Sequence, residues 1–344
     1  MLQWLLRRAQ IPPLLPDDGL AARSIRYTLS VAPLVMLAWV LQPRIWFVYA
    51  LVTATLAFAV DTGGRPLPRL AWMGAGGLIV SAGAALATLL AASQPLLVAA
   101  FAASGIVYAF TESTHAVALS LSRFLCFALA IGALYPSFDL LDLGAAAGAV
   151  LATWLISVAW DLAAGRWRRS TAPRGRDLRA LLSARERERQ IFALTVALAI
   201  PLAYWSSLGL GIARPYWAVL ALVLVLRMDF ISSRQLMLDR FLGTVLGVAV
   251  AGAYAIIFPS HAALMVGIVL AALARWPAQQ QHEALGVGVL TAFVMLMIEL
   301  VSVASGSPGE LLAARVLNTG IGCIVALLAV ALDQGLQRLA RSGG

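Results

Sequence analysis

Long, almost uninterrupted apolar stretches recur twelve times between Ser24 and Leu332. A segment of about 20 apolar residues crosses a hydrocarbon core about 30 Å thick, and inside that core each peptide group must find its hydrogen bond within its own helix. The stretches fall at roughly 24–42, 45–60, 70–92, 95–110, 115–134, 143–163, 191–209, 215–228, 236–258, 262–275, 283–303 and 311–332. They predict an all-α, polytopic membrane protein of about twelve transmembrane helices. Composition agrees: 61% of residues are apolar and 12% charged, against about 45–50% and about 25% in soluble domains. Twelve spans of about 20 residues leave roughly 100 residues for everything else, too few for a soluble catalytic or nucleotide-binding domain.

Charge sets the orientation. The net charge is +9 and every one of the 25 basic residues is arginine. With no lysine there is neither a GxxxxGK phosphate loop nor a Schiff-base lysine, which excludes ATP hydrolysis by this chain. If the N-terminus lies inside, 21 arginines fall in cytoplasmic segments and two, Arg44 and Arg214, in outer loops, while Arg123 and Arg315 lie within spans. That bias places both termini in the cytoplasm. The expected organisation is a cytoplasmic tail at 1–23, a first six-helix repeat at 24–163, a basic cytoplasmic linker at 164–190, a second repeat at 191–334 and a tail at 335–344. The linker holds nine arginines. It reads as a solvated stop-transfer segment beside anionic lipid, with a partner-docking helix (DLRALLSARERER) as the alternative. Nucleic acid is not an expected partner, because no aromatic residue interleaves with the arginines after Trp167. Cys126 and Cys323, in separate spans, read as small buried apolar groups.

The chain repeats itself. An ungapped shift of 171 residues places Trp46 on Trp217, Arg69 on Arg240, Gly76 on Gly247 and Glu112 on Glu283, and Ala50–Val52 on Ala221–Val223. Six spans per half make this a parallel repeat, an arrangement suited to alternating access at the meeting of the halves.

In the second half, RPYWAVLALVLVLRMDF is followed by DRFLGTVLGVAVAGAYA. This resembles the fusaric acid resistance family, in which a Tyr-Trp pair opens one span and Arg-x-x-Gly-Thr-x-x-Gly the next. Tyr216, Trp217, Arg240, Gly243, Thr244 and Gly247 hold those positions. Arg315, Thr319 and Gly322 resemble the family's last span, and the first half keeps only Trp46, Arg69 and Gly76. The resemblance implies an inner-membrane exporter of aromatic carboxylic acids, in a short form lacking large cytoplasmic domains. It also implies work beside a periplasmic adaptor (membrane fusion) protein and an outer-membrane channel. No cofactor is expected, and association into a homo-oligomer is left open.

A charge near the bilayer centre costs about 2.5–3.5 kcal/mol on insertion scales, so each one asks for a reason. Arg123 has no acidic residue at similar depth. Either it receives a carboxylate, or it bonds backbone carbonyls or Ser120 and Ser122. Arg315 and Glu299 would reach equal depth on antiparallel neighbours. They read as an ion pair, or as a proton acceptor that frees Arg315 for an anion. Glu112, near His115, and Glu283, beside His282, sit at matching inner mouths as helix caps or proton relays. Their spacings do not make a metal site. Arg69 and Arg240 open spans at the inner face, as anchors or as gates collecting anionic substrate. The function expected is efflux of organic anions, coupled to protons through Glu299, Glu112 and Glu283. A passive anion channel and a non-transporting scaffold are the alternatives; no nucleophile–base constellation supports an enzyme.

Overall fold

The computed structural model describes residues 19–41, 45–111, 115–165, 167–173, 187–226, 230–302 and 308–342. Twelve helices cover almost all of them: α1 Leu20–Leu41, α2 Ile45–Ala59, α3 Pro66–Leu90, α4 Gln94–Thr111, α5 Ala116–Leu134, α6 Leu140–Ala163, α7 Arg187–Gly209, α8 Tyr216–Val225, α9 Phe230–Ile257, α10 His261–Gln281, α11 Glu283–Ser302 and α12 Pro308–Ser342. Among the described residues there is no strand. Arg44, Glu112 and most of the basic linker, including residues 177–186 of its predicted docking helix, lie outside the described residues.

Ten of the helices are long and apolar enough to cross a membrane. The other two, α2 and α8, have 15 and 10 residues. At 1.5 Å per residue they reach only about 22 and 15 Å, short of the hydrocarbon thickness. The twelve expected spans therefore resolve into ten that can cross and two short ones. The short pair lies at the centre: Phe47, Tyr49, Ala50 and Leu51 of α2, and Ala218, Val219, Leu222 and Val223 of α8, are fully enclosed. A helix apolar on all sides belongs inside a bundle, and these are apolar on all sides. The long helices instead turn Met36, Leu67, Leu78, Leu89, Leu140 and Ile256 outward, as a lipid-facing surface requires.

In the first six helices, α2 packs on α6, α3 on α5 and α6, α4 on α5, and α1 on α2 and α6. In the last six, α8 packs on α12, α9 on α11 and α12, α10 on α11, and α7 on α8 and α12. Between the two groups, α4 packs on α7, α1 on α10, α5 on α8 and α2 on α11. The close approaches rest on small residues. A Cβ on Gly83 would stand 2.7 Å from Ala128 of α5, and one on Gly132 would stand 2.8 Å from a carbonyl of α3. In the last six helices, Gly243 and Gly247 of α9 lie directly against carbonyls of Ala284 and Gly288 on α11. Backbones that touch in this way hold a membrane bundle together where the hydrophobic effect between helices is absent.

Caps set the helix starts. The Asp139 side chain accepts from the backbone N–H groups of Leu141 and Asp142, and Asp142 returns the bond to Asp139, a full capping box for α6. His115 Nδ1 accepts from the Val117 N–H before α5, and His282 Nδ1 accepts from the Ala284 N–H before α11. The two histidines thus do the same work at the starts of two helices that hold the same place in their sixes.

Candidate functional site

Three of the four arginines singled out by the sequence, Arg123, Arg240 and Arg315, make no ion pair within 4 Å with a carboxylate among the described residues. Arg123 enters the bundle seven residues along α5, about 10 Å from its start. Its guanidinium lies 5.5 Å from the ring centre of Tyr108 on α4. Its Nε and Nη2 are buried and make no hydrogen bond. Ser120 and Ser122, the alternative partners, donate instead to the carbonyls of Ala116 and Leu119. Tyr108 itself donates to the Leu226 carbonyl at 2.5 Å, just past the end of short helix α8.

Arg315 belongs to α12, 7% exposed, its guanidinium 5.0 Å from the ring centre of Trp217 at the start of α8. Its Nε is buried and unbonded. The ion pair with Glu299 does not form. The sequence argument assumed that α11 and α12 are neighbours; in the fold α11 packs on α9, α10 and α2, whereas α12 packs on α7, α8 and α9. Consecutive helices are separated, and the half-buried carboxylate of Glu299 is separated with them.

Arg240 of α9 joins these two. Its guanidinium experiences the positive charges of both Arg315 and Arg123, together with the Cys323 thiol and the Glu283 carboxylate. Arg123 of α5 and Arg315 of α12 thus each lie within electrostatic reach of Arg240 on α9. What holds them is legible in the packing. Gly322 of α12 packs against α8, where a Cβ would stand 2.5 Å from the Ala218 carbonyl and 2.7 Å from Ala221, tying α12 to α8 beneath Arg315. Gly243 and Gly247, on the next turns of α9 after Arg240, fix that helix on α11. Thr319 closes its hydroxyl onto the Arg315 carbonyl at 2.8 Å, and Thr244 is buried beside them. Tyr216 stacks on Phe101 of α4 and meets Tyr204 of α7. The residues of the Tyr-Trp and glycine runs thus pack the helices that carry the arginines.

Arg69, placed on Arg240 by the shift of 171, is in a different state. It is fully buried and each of its nitrogens donates to a carboxylate: Nε and Nη2 to Asp61 at 2.8 and 2.9 Å, Nη1 to Asp161 at 2.7 Å. Arg168, from the first residues of the linker, completes a closed quartet by donating to Asp61 at 2.5 Å and to Asp161 at 2.9 Å. Ser157 and the Gly63 N–H add two more bonds to Asp61. Burial alone would raise the Asp61 carboxyl, but the Arg168 and Arg69 guanidiniums hold it well below the usual carboxylate range. Burial would likewise lower the Arg168 guanidinium, and the Asp61 and Asp161 carboxylates hold it above its ordinary value. The linker is pinned as well as paired: the Gly64 N–H donates to the Arg168 carbonyl and the Thr171 N–H to the Thr62 carbonyl. Gly63 and Gly64 take φ of +65° and +74°, and a Cβ on either would stand 2.9 Å from the linker. Only glycine suits both demands.

Asp61, Asp161 and Arg168 were not among the residues expected from the sequence. Their signal was available: two aspartates at the ends of apolar stretches, beside a segment rich in arginine. Glu283 accepts both available bonds from Gln279, each 3.1 Å, and His282 lies 3.8 Å from Asp239.

Residues 198–329 match the family model for fusaric acid resistance protein-like proteins. The stretch runs from α7 to α12 and contains Tyr216, Trp217, Arg240, Gly243, Thr244, Gly247, Arg315, Thr319 and Gly322; Arg123 and the quartet lie outside it. No curated protein and no solved structure matches the chain.

Proposed function

We propose that this multi-pass membrane protein, whose residues 198–329 match the family model for fusaric acid resistance protein-like proteins, is an inner-membrane efflux permease for organic carboxylates, aromatic ones first. The observation that carries this reading is the set of buried guanidinium nitrogens on Arg123 and Arg315 that find no hydrogen-bond partner among the described residues, with Arg240 within electrostatic reach of each. A buried, unpaired cation is costly, and a carboxylate relieves that cost with two parallel charge-assisted bonds per guanidinium. Trp217 and Tyr108, already in face-on contact with the arginines, offer surfaces to an aromatic ring.

A duplicated six-helix unit, with both termini cytoplasmic, fits this reading. Each contact within the first six helices named above has its counterpart within the last six, and α4–α7 answers α10–α1 across the seam. Arg69 would serve in a second conformation, in which opening of the quartet frees it at the inner mouth. Glu299, half-buried and in no ion pair among the described residues, and Glu283, within reach of Arg240, are the acids through which protons would be exchanged; Glu112 is assigned the equivalent place in the first half. A periplasmic adaptor and an outer-membrane channel would carry the substrate onward.

Proteoliposomes test it. Wild-type protein is expected to concentrate radiolabelled benzoate in proteoliposomes made acidic inside, as protons leave in exchange for the entering anion, and a protonophore is expected to abolish the gain. Arg123→Gln and Arg315→Gln should lose uptake while inserting normally. Currents that follow voltage and ignore the pH gradient would replace the permease with a passive anion channel, and wild-type uptake by both variants would remove the arginine site.

A further inference from the structure

Among the described residues Arg214, in the turn between α7 and α8, is the one non-glycine residue with a positive φ, at +61°. An L side chain in that region crowds its own backbone, so the neighbours must impose the conformation. The neighbour that does so is Asn318 of α12. Fully buried, its Nδ2 donates to the Ala213 carbonyl at 2.9 Å and to the Ala314 carbonyl at 2.8 Å, and its Oδ1 accepts from the Ser207 hydroxyl of α7 at 2.5 Å. The Arg214 carbonyl in turn accepts from the Trp217 N–H at 3.1 Å. Asn318 follows Arg315 by three residues on the same helix. The turn of α12 that carries Arg315 therefore also fixes the peptide that precedes Arg214.

What this placement achieves is visible at Trp217. The Arg214 guanidinium lies 5.6 Å from its ring centre and the Arg315 guanidinium 5.0 Å. One buried indole thus carries two cations from two different elements. Nη1 of Arg214, like Nε of Arg315, is buried and has no hydrogen-bond partner among the described residues. An arginine that only met lipid headgroups would need neither a left-handed backbone nor a buried nitrogen. The short helix α8 sets the order. At its inner end Tyr108, with Arg123 over its ring, bonds the Leu226 carbonyl; at its outer end stand Trp217 and Arg315; beyond them lies Arg214, in a loop that the arginine bias directs outward. A carboxylate has two oxygens and a guanidinium offers paired donors, so one arginine can take hold before the previous one lets go.

We propose that Arg214 is the outer subsite of the anion path: a carboxylate held by Arg315 passes over Trp217 to Arg214 before it leaves the protein. This role rests on the carboxylate reading of Arg315 and on the outward direction of the α7–α8 turn.

Counterflow of radiolabelled benzoate against unlabelled benzoate, in right-side-out and in everted vesicles, tests it on the intact protein. In R214Q the KM for benzoate offered at the outer face should rise about tenfold, the loss of one charge-assisted hydrogen bond, while the KM at the inner face keeps its wild-type value. R214G suits a φ of +61° and should show the same split where R214Q inserts poorly. R214C should lose outer affinity in the same way and regain it when an impermeant trimethylammonium thiosulfonate restores a positive charge, but not when a sulfonate reagent adds a negative one. Cys126 and Cys323 are buried, so the reagents report on position 214. Equal rises at both faces, or rescue by either reagent, would overturn the subsite. An unchanged outer KM in R214Q would overturn it too, alone if R315Q is inactive and together with the carboxylate reading if R315Q still exchanges. Wild-type vesicles that exchange no benzoate at all would remove both.

Discussion

Replacing Asp61 by asparagine keeps the shape of the side chain and removes one of the two negative charges that the quartet is built around. Asp61 accepts two bonds from Arg69, one from Arg168, one from Ser157 and one from the Gly63 N–H. In the variant an amide NH2 must face guanidinium donors, and Asp161 alone opposes two buried cations. Breaking a buried pair by removing one partner costs about 3–5 kcal/mol, most of it the penalty of the charge left behind. Asp61 also anchors Arg168, so the loss should loosen the linker from the α2–α3 turn. Thermal unfolding in a fixed detergent, followed by circular dichroism, would read the first effect, and protease cleavage between residues 166 and 173 the second. The double variant D61N/R168Q removes one positive charge as well and should recover about 1–3 kcal/mol of the loss, because residues in one ion-pair network are not additive. A D61N protein as stable as wild type, or a double variant whose losses simply add, would refute the claim that this quartet is a coupled unit.

Arg123→Met and Arg315→Met should abolish export and yet raise thermal stability by about 1–3 kcal/mol each, since an apolar side chain replaces an unpaired buried charge; destabilised variants would mean the arginines have partners. Gly247→Leu, driven into the Gly288 carbonyl of α11, should cost at least about 1–3 kcal/mol, whereas Gly144→Ala, with nothing within 4 Å, should be silent in the same melt. The quartet should survive acidification. The Asp61 carboxyl is held below its ordinary value, so its contribution is fully present above the unfolded carboxylate range near pH 4 and fades only at lower pH. Melting curves of wild type and D61N should therefore keep the same separation between pH 7 and pH 5, and convergence in that window would contradict it.

The helices and their order were legible because a hydrocarbon core leaves an apolar run of this length one way to fold. The charges that most needed a reason, Arg123 and Arg315, were legible for a related cause: insertion is costly enough that each marks a place where something happens. Adjacency was not legible. Glu299 and Arg315 sit on consecutive helices, and consecutive helices are neighbours often enough to suggest an ion pair, yet α9 and α10 take the positions beside α11 that α12 was assumed to hold. The short helices α2 and α8 were hidden differently. Their apolar runs continue toward the next arginines, and only the three-dimensional core shows that the helix stops early. Arg69 and Arg240 share a sequence position, but the partners that separate them, Asp61, Asp161 and Arg168, come from a turn, a helix end and the linker, so no local pattern distinguishes the closed arginine from the open one.

The central claim is that Arg123, Arg240 and Arg315 together receive a carboxylate. Anomalous diffraction from crystals soaked with 4-iodobenzoate locates such a ligand without assumptions about transport. The account predicts an iodine signal inside the bundle beside Trp217, with the carboxylate in hydrogen-bond contact with Arg315 and at least one of the other two arginines, and loss of that signal in Arg315→Gln. An iodine bound elsewhere, or undiminished in the variant, would contradict it.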